Sequence, residues 1–265
     1  MSSVLECIFA AKRDEVAKRR GELPLDRVIA AAARQSAARD FRASLKSRRP
    51  AIIAEIKRAS PSKGDIFPGL DPAAVACEYE AAGAAALSVL TDRHFKGSLE
   101  DFRAVRAAVN LPLLRKDFIF DSYQIYESRA AGADCVLLIA AMLSIATMRA
   151  LAELALELGM AALVEAHNRD EFRAAENIGA QLIGLNNRDL HTFDTRTSTT
   201  EALLKNYAGT ALIVTESGIE SPSDIRRLAG SGAHAFLIGE SLLRDGAPRA
   251  KLGELMHAFD REDVA

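Results

Sequence analysis

Apolar positions along the chain gather into short runs, each preceded by a charged, helix-like stretch and a small-residue turn holding a glycine. ACEYEAAGAAALSVLT turns at Gly83, YESRAAGADCVLLIA at Gly132, FRAAENIGAQLIGLN at Gly179 and IRRLAGSGAHAFLIG at Gly232. LALELGMAALVEA repeats the unit in shorter form at Gly159. A glycine suits the left-handed residue that ends a helix. The run after it is rich in Val, Ile and Leu on both faces, the pattern of parallel strands covered by helices. Strands are predicted near 51–57, 85–91, 112–116, 135–140, 161–165, 182–186, 212–216 and 235–239. Helices fill gaps at 71–82, 99–109, 121–131, 144–158 and 221–229. Good N-caps open them: Asp71 before Pro72, Ser98, Asp121, Ser144, and Ser221 before Pro222.

Helices alternating with about eight strands predict an α/β fold, a (β/α)8 TIM barrel, whose usual length of roughly 250 residues suits this chain. An open doubly wound sheet is the second reading, and no glycine fingerprint follows the first strand to support it. The stretch before that strand, about 1–48, reads as an N-terminal helical extension of a single barrel domain spanning 1–265. Candidate helices lie at 4–19 and 25–37, and a cover over one end of the barrel is the expected role.

Composition narrows the partners. Hydrophobic residues make up 49% and charged residues 26%, an ordinary soluble balance. A net charge of -2 supplies no basic field for nucleic acid or anionic lipid. The absence of Trp argues against a stacking platform for single strands. Cys7, Cys77 and Cys135 form neither a disulfide framework nor a zinc pattern, so reduced structural thiols in a cytoplasmic protein are expected. MSSVLECIFAAKRDEVAKRR reaches charges too early for a signal peptide, and the longest apolar run, 135–143, is too short to span a bilayer.

The chemistry concentrates where the predicted strands end. In AEIKRASPSKG, Glu55 and Lys57 share a strand face and Ile56 takes the other. Such a pair is either a surface ion pair or part of a site. In this fold the active site sits at the C-terminal strand ends. Strand one ends with Glu55, Lys57 and Ser60; strand two with Thr91 and Asp92; strand three with Lys116 and Phe118. Glu165 ends strand five, Asn186 and Arg188 strand six, Glu216, Ser217 and Gly218 strand seven, and Gly239 and Glu240 strand eight. Lone buried charges are costly unless paired. Surface ion pairs explain one or two of these positions and do not explain the coincidence at five strands. ESG after strand seven and GES after strand eight together suit a phosphate cradle. His94, His167, His191, His234 and His257 show no ligand spacing; loop or solvated roles are expected for all five, with contact to the site as the alternative for His167 just past Glu165, and no metal.

IIAEIKRASPSKG, LLRKDFIFDSYQIYESRAAGAD, LVEAH, IGLNNRDL and VTESGI, in that order, make the chain resemble the indole-3-glycerol phosphate synthase family of tryptophan biosynthesis. The resemblance implies the barrel with its helical extension. It implies 1-(2-carboxyphenylamino)-1-deoxyribulose 5-phosphate as substrate, with indole-3-glycerol phosphate, carbon dioxide and water as products and no cofactor. By resemblance the catalytic residues are Glu55, Lys57, Lys116, Glu165, Asn186 and Glu216. Lys116 is the acid of ring closure and Glu165 the base; the dehydration acid is Lys57 or Lys116. Glu55 orients the lysines and keeps them charged, while Asn186 and Glu216 contact the sugar.

Ser60, Lys57 and Arg188 stand where anionic groups are held, and Arg188 suits a carboxylate. The phosphate is expected on backbone N–H groups of Gly218 and Gly239, beside Ser217 and Glu240. Many members of the family carry Ser at the place of Glu240, whose backbone alone suits an anion. Phe95, Phe118, Leu137 and Phe193 match the apolar lining for the aromatic ring, with core packing the alternative for Leu137. RASPSKG reads as a mobile loop over the substrate. The implied partner is a small phosphosugar, with no nucleic acid and no membrane. The expected state is a monomer, with a weak homodimer as the alternative. Two competing functions remain: another phosphosugar isomerase, which does not share the Glu-x-Lys with the third-strand lysine, and a non-catalytic phosphate-ligand binder, which needs no acid-base pair.

Overall fold

Eight parallel strands close into a barrel in the computed structural model, which describes residues 4–60, 64–67, 69–189 and 192–260. They are β1 (Ala51–Ile56), β2 (Ala86–Leu90), β3 (Leu113–Lys116), β4 (Cys135–Ile139), β5 (Ala161–Ala166), β6 (Leu182–Asn186), β7 (Leu212–Glu216) and β8 (Ala235–Ile238). Each pairs with its neighbours in sequence, and β8 closes on β1 with Ala235 opposite Ala51. All eight fall where the apolar runs place them, most of them trimmed by a residue or two at an end. The open doubly wound alternative is thereby excluded.

The helices are α1 (Val4–Glu22), α2 (Leu25–Ala33), α3 (Phe41–Lys46), α4 (Pro72–Ala81), α5 (Leu99–Ala108), α6 (Ser122–Ala130), α7 (Ile145–Glu157), α8 (Arg169–Asn177), α9 (Ser198–Leu204), α10 (Pro222–Gly230), α11 (Glu240–Leu243) and α12 (Pro248–Met256). The expected caps are in place: Asp71 accepts from Ala73 N at 2.9 Å, Ser98 from Asp101 N at 3.1 Å and Asp121 from Tyr123 N at 2.8 Å. Past α6 the chain leaves through Gly132 at φ +89°, a conformation that costs glycine little.

Strand alternation divides the core in two. Ile53, Leu114, Cys135, Leu137, Leu163 and Val214 point inward and pack together. Ile52, Leu87, Val136, Ile183 and Phe236 point outward against the helices. This parity positions the site, because it carries on into the last inward residue of each strand.

The N-terminal extension meets the barrel at both ends, where a cover over one end was expected. The helix predicted over 25–37 stops at Ala33, and a separate α3 starts at Asp40, whose side chain accepts from Ala43 N at 2.8 Å. Phe41 and Leu45 of α3 join the inward cluster beside Ala51, Ala85 and Ala235, across the N-terminal ends of the strands. At the other end, Lys12 of α1 is fully buried, 2.7 Å from Asp92 and 2.9 Å from Asp117, just past β2 and β3. Asp117 is also held by Arg115 at 2.8 Å and by the Thr91 hydroxyl at 2.7 Å. Burial works against its charge, but Arg115 and Lys12 more than offset this and hold it well below the usual carboxylate range.

Of the predicted mobile loop, residues 61–63 lie outside the described residues. Its flanks pair as a short antiparallel ladder, Ala59 with Asp65 and Ser60 with Gly64. Arg58 anchors that ladder through two bonds to Asp101, at 2.6 and 2.8 Å. Among the described residues no helix is long and apolar enough to cross a membrane.

Candidate active site

A cavity of about 560 Å³ opens at the C-terminal strand ends, lined by every catalytic and substrate-binding residue expected from the sequence; Thr91 and Asp92 of the second strand end instead join the buried cluster with Lys12 and Asp117. Glu55, Lys57 and Ser60 come from β1 and its loop, Phe95 from beyond β2, Lys116 and Phe118 from the end of β3, and Leu137 from β4. Glu165 comes from β5, Asn186, Arg188 and Phe193 from β6 and its loop, Glu216 from β7 with Ser217 and Gly218 just past it, and Gly239 and Glu240 from just past β8. Glu55 continues the inward row of Ala51 and Ile53, Lys116 that of Leu114, Glu165 that of Leu163 and Glu216 that of Val214. The charges are therefore the topmost layer of the barrel filling.

Lys116 is the hub. Its Nζ lies 2.6 Å from Oε2 of Glu165 and 3.2 Å from Oε2 of Glu216. Burial opposes its charge, but Glu165, Glu216 and Glu55 outweigh burial and raise its pKa. Burial also favours the neutral form of Glu165, yet Lys116 and His167 hold its carboxyl well below the usual range. Glu216 goes the other way: burial raises it, and the nearby charges of Glu165 and Glu55 add to that, against the pull of Lys116. Two carboxylates share one lysine, and their environments push their protonation apart.

Around the hub, Lys57 pairs with Glu55 at 2.7 Å, so the opening pair of the sequence motif faces the cavity. Asn186 donates to Oε1 of Glu165 at 3.3 Å and accepts from the Ser217 hydroxyl at 2.9 Å. Ser217 holds φ +68°, an unusual conformation for a residue with a side chain and a kind of strain that collects at functional sites. Asn187 pins it by donating to its carbonyl at 3.1 Å. The side chain of Glu240 is engaged by Arg188 at 3.3 Å and Arg244 at 3.4 Å. Phe95 and Phe118 stand with ring centroids 6.4 Å apart on the apolar wall, and Leu137 both packs in the inward cluster and lines the cavity.

Gly184, Ile8 and Arg244 escaped the sequence reading, and for Gly239 it missed a second role. A Cβ on Gly184 would come 2.3 Å from Oε1 of Glu216, and one on Gly239 would come 2.5 Å from Oε1 of Glu55. These glycines make room for the carboxylates. The signal for Gly184 was present, since an interior glycine in a strand marks a close approach. Ile8 of α1 and Arg244 also line the cavity, and nothing in their local sequence marks them.

The expectation for the histidines fails at His167. Its side chain is only 8% exposed, with Nε2 3.1 Å from Oε1 of Glu165 and Nδ1 3.0 Å from Oε2 of Glu171. Burial would lower its pKa, but the two carboxylates push it up to about 9. LVEAH placed this ring next to the base in sequence, and only the fold aims it backward. His94 sits half-buried in a single 3-10 turn, with Nδ1 2.8 Å from Asp92, and His234 and His257 are exposed, as expected; His191 lies outside the described residues. Among the described residues no cluster of His, Cys, Asp or Glu forms a metal site.

The family model described as indole-3-glycerol phosphate synthase matches residues 5–255. An indole-3-glycerol phosphate synthase of Chromobacterium violaceum is 48% identical over 263 residues, covering 97% of this chain and 99% of the relative. One of Azoarcus sp. strain BH72 is 49% identical over 262 residues, covering 96% of this chain and 99% of the relative. Among solved structures, the N-acetylmannosamine-6-phosphate 2-epimerase of Clostridium perfringens superposes with a TM-score of 0.60 at 13% identity, over 80% of this chain and 95% of that one. The 3-hexulose-6-phosphate synthase of Salmonella typhimurium gives 0.59 at 14%, over 78% and 97%. At such identities these two speak for the barrel alone.

Proposed function

The chain belongs to the indole-3-glycerol phosphate synthase family, and from that premise we propose that Lys116 and Glu165 are the acid and base of its reaction. The enzyme closes the indole ring of 1-(2-carboxyphenylamino)-1-deoxyribulose 5-phosphate, releasing carbon dioxide and water. The observation that carries the residue assignment is the hub: one lysine between two carboxylates of opposite tendency, at the floor of the cavity.

As the aromatic carbon attacks the ribulose carbonyl, its oxygen gains negative charge. A lysine kept this firmly protonated gives little to a neutral carbonyl and much to a developing alkoxide, so the stabilisation grows toward the transition state. The proton then passes from Nζ to that oxygen. Loss of carbon dioxide returns its electron pair to the ring. Dehydration needs a proton for the departing hydroxyl and a base for the proton that leaves the ring system. Glu165, ionised, takes the second role; the first belongs to Lys57 or Lys116, which both line the cavity. Glu55 pairs with Lys57 by contact and supports the charge of Lys116 through space. Asn186 and Glu216 face the sugar.

The ends of the substrate are held at opposite walls. Phe95, Phe118, Leu137 and Phe193 receive the aromatic ring, Arg188 and Ser60 its carboxylate. Backbone N–H groups at Gly218 and Gly239 receive the phosphate beside Ser217 and Lys57. Glu240, engaged by two arginines, contributes its backbone alone. Folding one molecule so that its own carbons meet supplies several kcal/mol, within the roughly 7–11 kcal/mol open to such positioning. The chain acts as a cytoplasmic monomer on this small phosphosugar.

Indole formation, followed by absorbance or fluorescence without added metal, tests the roles. Lys116→Ala is expected to lose about 10²–10⁴-fold in turnover, and Phe118→Leu far less. Glu165→Gln is expected to bind substrate and stall. Equal losses at Lys116 and Phe118, or normal turnover by Glu165→Gln, would overturn the assignment.

A further inference from the structure

The hub poses a difficulty that its own geometry answers. An acid and a base 2.6 Å apart, Lys116 and Glu165, are close enough to exchange the proton between themselves. That transfer would neutralise both before either meets the substrate. The danger peaks during reaction: when Lys116 gives up its proton it ceases to be the counter-charge that keeps buried Glu165 ionised. A second cation on the far side of Glu165 removes the problem.

His167 occupies that place. It follows β5, lies behind Glu165 and is not part of the cavity wall. Its Nε2 meets Oε1 of Glu165 at 3.1 Å, while Lys116 takes Oε2. Its Nδ1 meets Oε2 of Glu171 at 3.0 Å, and the same Glu171 oxygen accepts from the His167 backbone N at 2.8 Å. Asn168 donates to the other Glu171 oxygen at 2.6 Å, so the brace is itself fixed. Nδ1 is hydrogen-bonded to Glu171, while Nε2 stands at ion-pair distance from Glu165 without a hydrogen bond; carboxylates facing both ring nitrogens favour the imidazolium. The charged groups acting on it are Glu165 from the strand and Glu171 from α8.

We propose that His167 is a positioning residue of the reaction: clamped by Glu171, it holds Glu165 ionised and oriented so that the Lys116 proton goes to the substrate and not to Glu165. The inference rests on Glu165 as base. It requires no bond to form or break at the ring. The clamp opposes transfer within the hub by keeping Glu165 a weaker base than the developing alkoxide, until the ring proton is released close to it. The pushed-up pKa of the ring agrees with this arrangement.

The test uses the full chain. His167→Gln keeps a hydrogen-bond donor and loses the charge; it is expected to lower kcat about 10- to 100-fold, the scale of a misplaced catalytic group, with KM little changed. The acid limb of its kcat profile should move to higher pH, because Glu165 without its second cation is protonated more easily. Imidazole added to His167→Ala should restore part of the rate. Glu171→Gln should show the same shift in weaker form, and it serves if the His167 variants fold poorly. An unmoved acid limb, or a loss without imidazole rescue in folded protein, overturns the clamp. Glu165→Gln separates the two readings: if it turns over normally the base assignment falls, whereas if it stalls while His167→Gln keeps a wild-type rate, the clamp alone falls.

Discussion

Gly239, just past β8, is the point where Glu55 needs the space a side chain would fill. A Cβ there would also come within 3.0 Å of the Glu55 Cβ and 3.1 Å of its Cδ, so Glu55 has no nearby place to retreat. Gly239→Ala is therefore expected to displace Glu55 from Lys57, costing about 1–3 kcal/mol of stability as overpacking does. Turnover should suffer more than substrate binding, and steady-state kinetics beside a urea titration checks both. A rate loss no larger than that from a surface substitution would show that Glu55 moves freely. At this scale much of the site was legible in advance. Period-two alternation fixed which face Glu55, Lys116, Glu165 and Glu216 take, and a charge on an inward row demands an explanation. Ile8 was not legible, because its importance lies in which neighbour the fold brings to it; Gly184 inside its strand and His167 just past Glu165 carried a signal that only the fold resolves.

The element most hidden from sequence is α1. Lys12 sits in AAKRDEVAKRR among other basic residues and nothing local sets it apart, yet it is fully buried between Asp92 and Asp117. Burial opposes its charge, and the two aspartates outweigh burial and raise its pKa. Removing one partner of a buried ion pair leaves the other charges uncompensated. Lys12→Met is expected to destabilise the protein by about 3–5 kcal/mol, measured by urea unfolding. Since Asp117 follows Lys116 directly, turnover should fall as well; an unchanged midpoint would mean that α1 is merely laid on the surface. The strands, by contrast, were readable to within a residue or two, since fully buried parallel strands leave continuous apolar runs and their helices end at glycines. The first N-terminal helix was placed to within three residues, and the second was drawn too long. The 25–37 pattern continued past Ala33, and only the Asp40 cap and the fit of Phe41 and Leu45 under the barrel start a new helix.

For the whole molecule, the site groups tie stability to pH. His167 has its folded pKa raised from 6.5 to about 9, so it binds its proton more tightly when folded. Its contribution is complete below pH 6.5 and is lost as pH rises to about 9, up to about 3 kcal/mol at 1.36 kcal/mol per pKa unit. Asp117 and Glu165, held low, contribute above the ordinary carboxylate range and lose that contribution as pH falls through their lowered values. Thermal unfolding at pH 6.5 and 9 should show the wild type losing more stability than His167→Gln; parallel curves would contradict the linkage. One more feature governs how molecules come and go. Phe41 and Leu45 stopper the lower end of the barrel, and its interior is filled with side chains up to the charged layer. Among the described residues, traffic therefore has a single doorway. The phosphosugar enters and the larger product leaves past the same lysines, and the gas released in mid-reaction must slip out across a threshold that an intermediate still occupies. A substrate handed over by another enzyme has to be delivered to that front door, since the floor is shut.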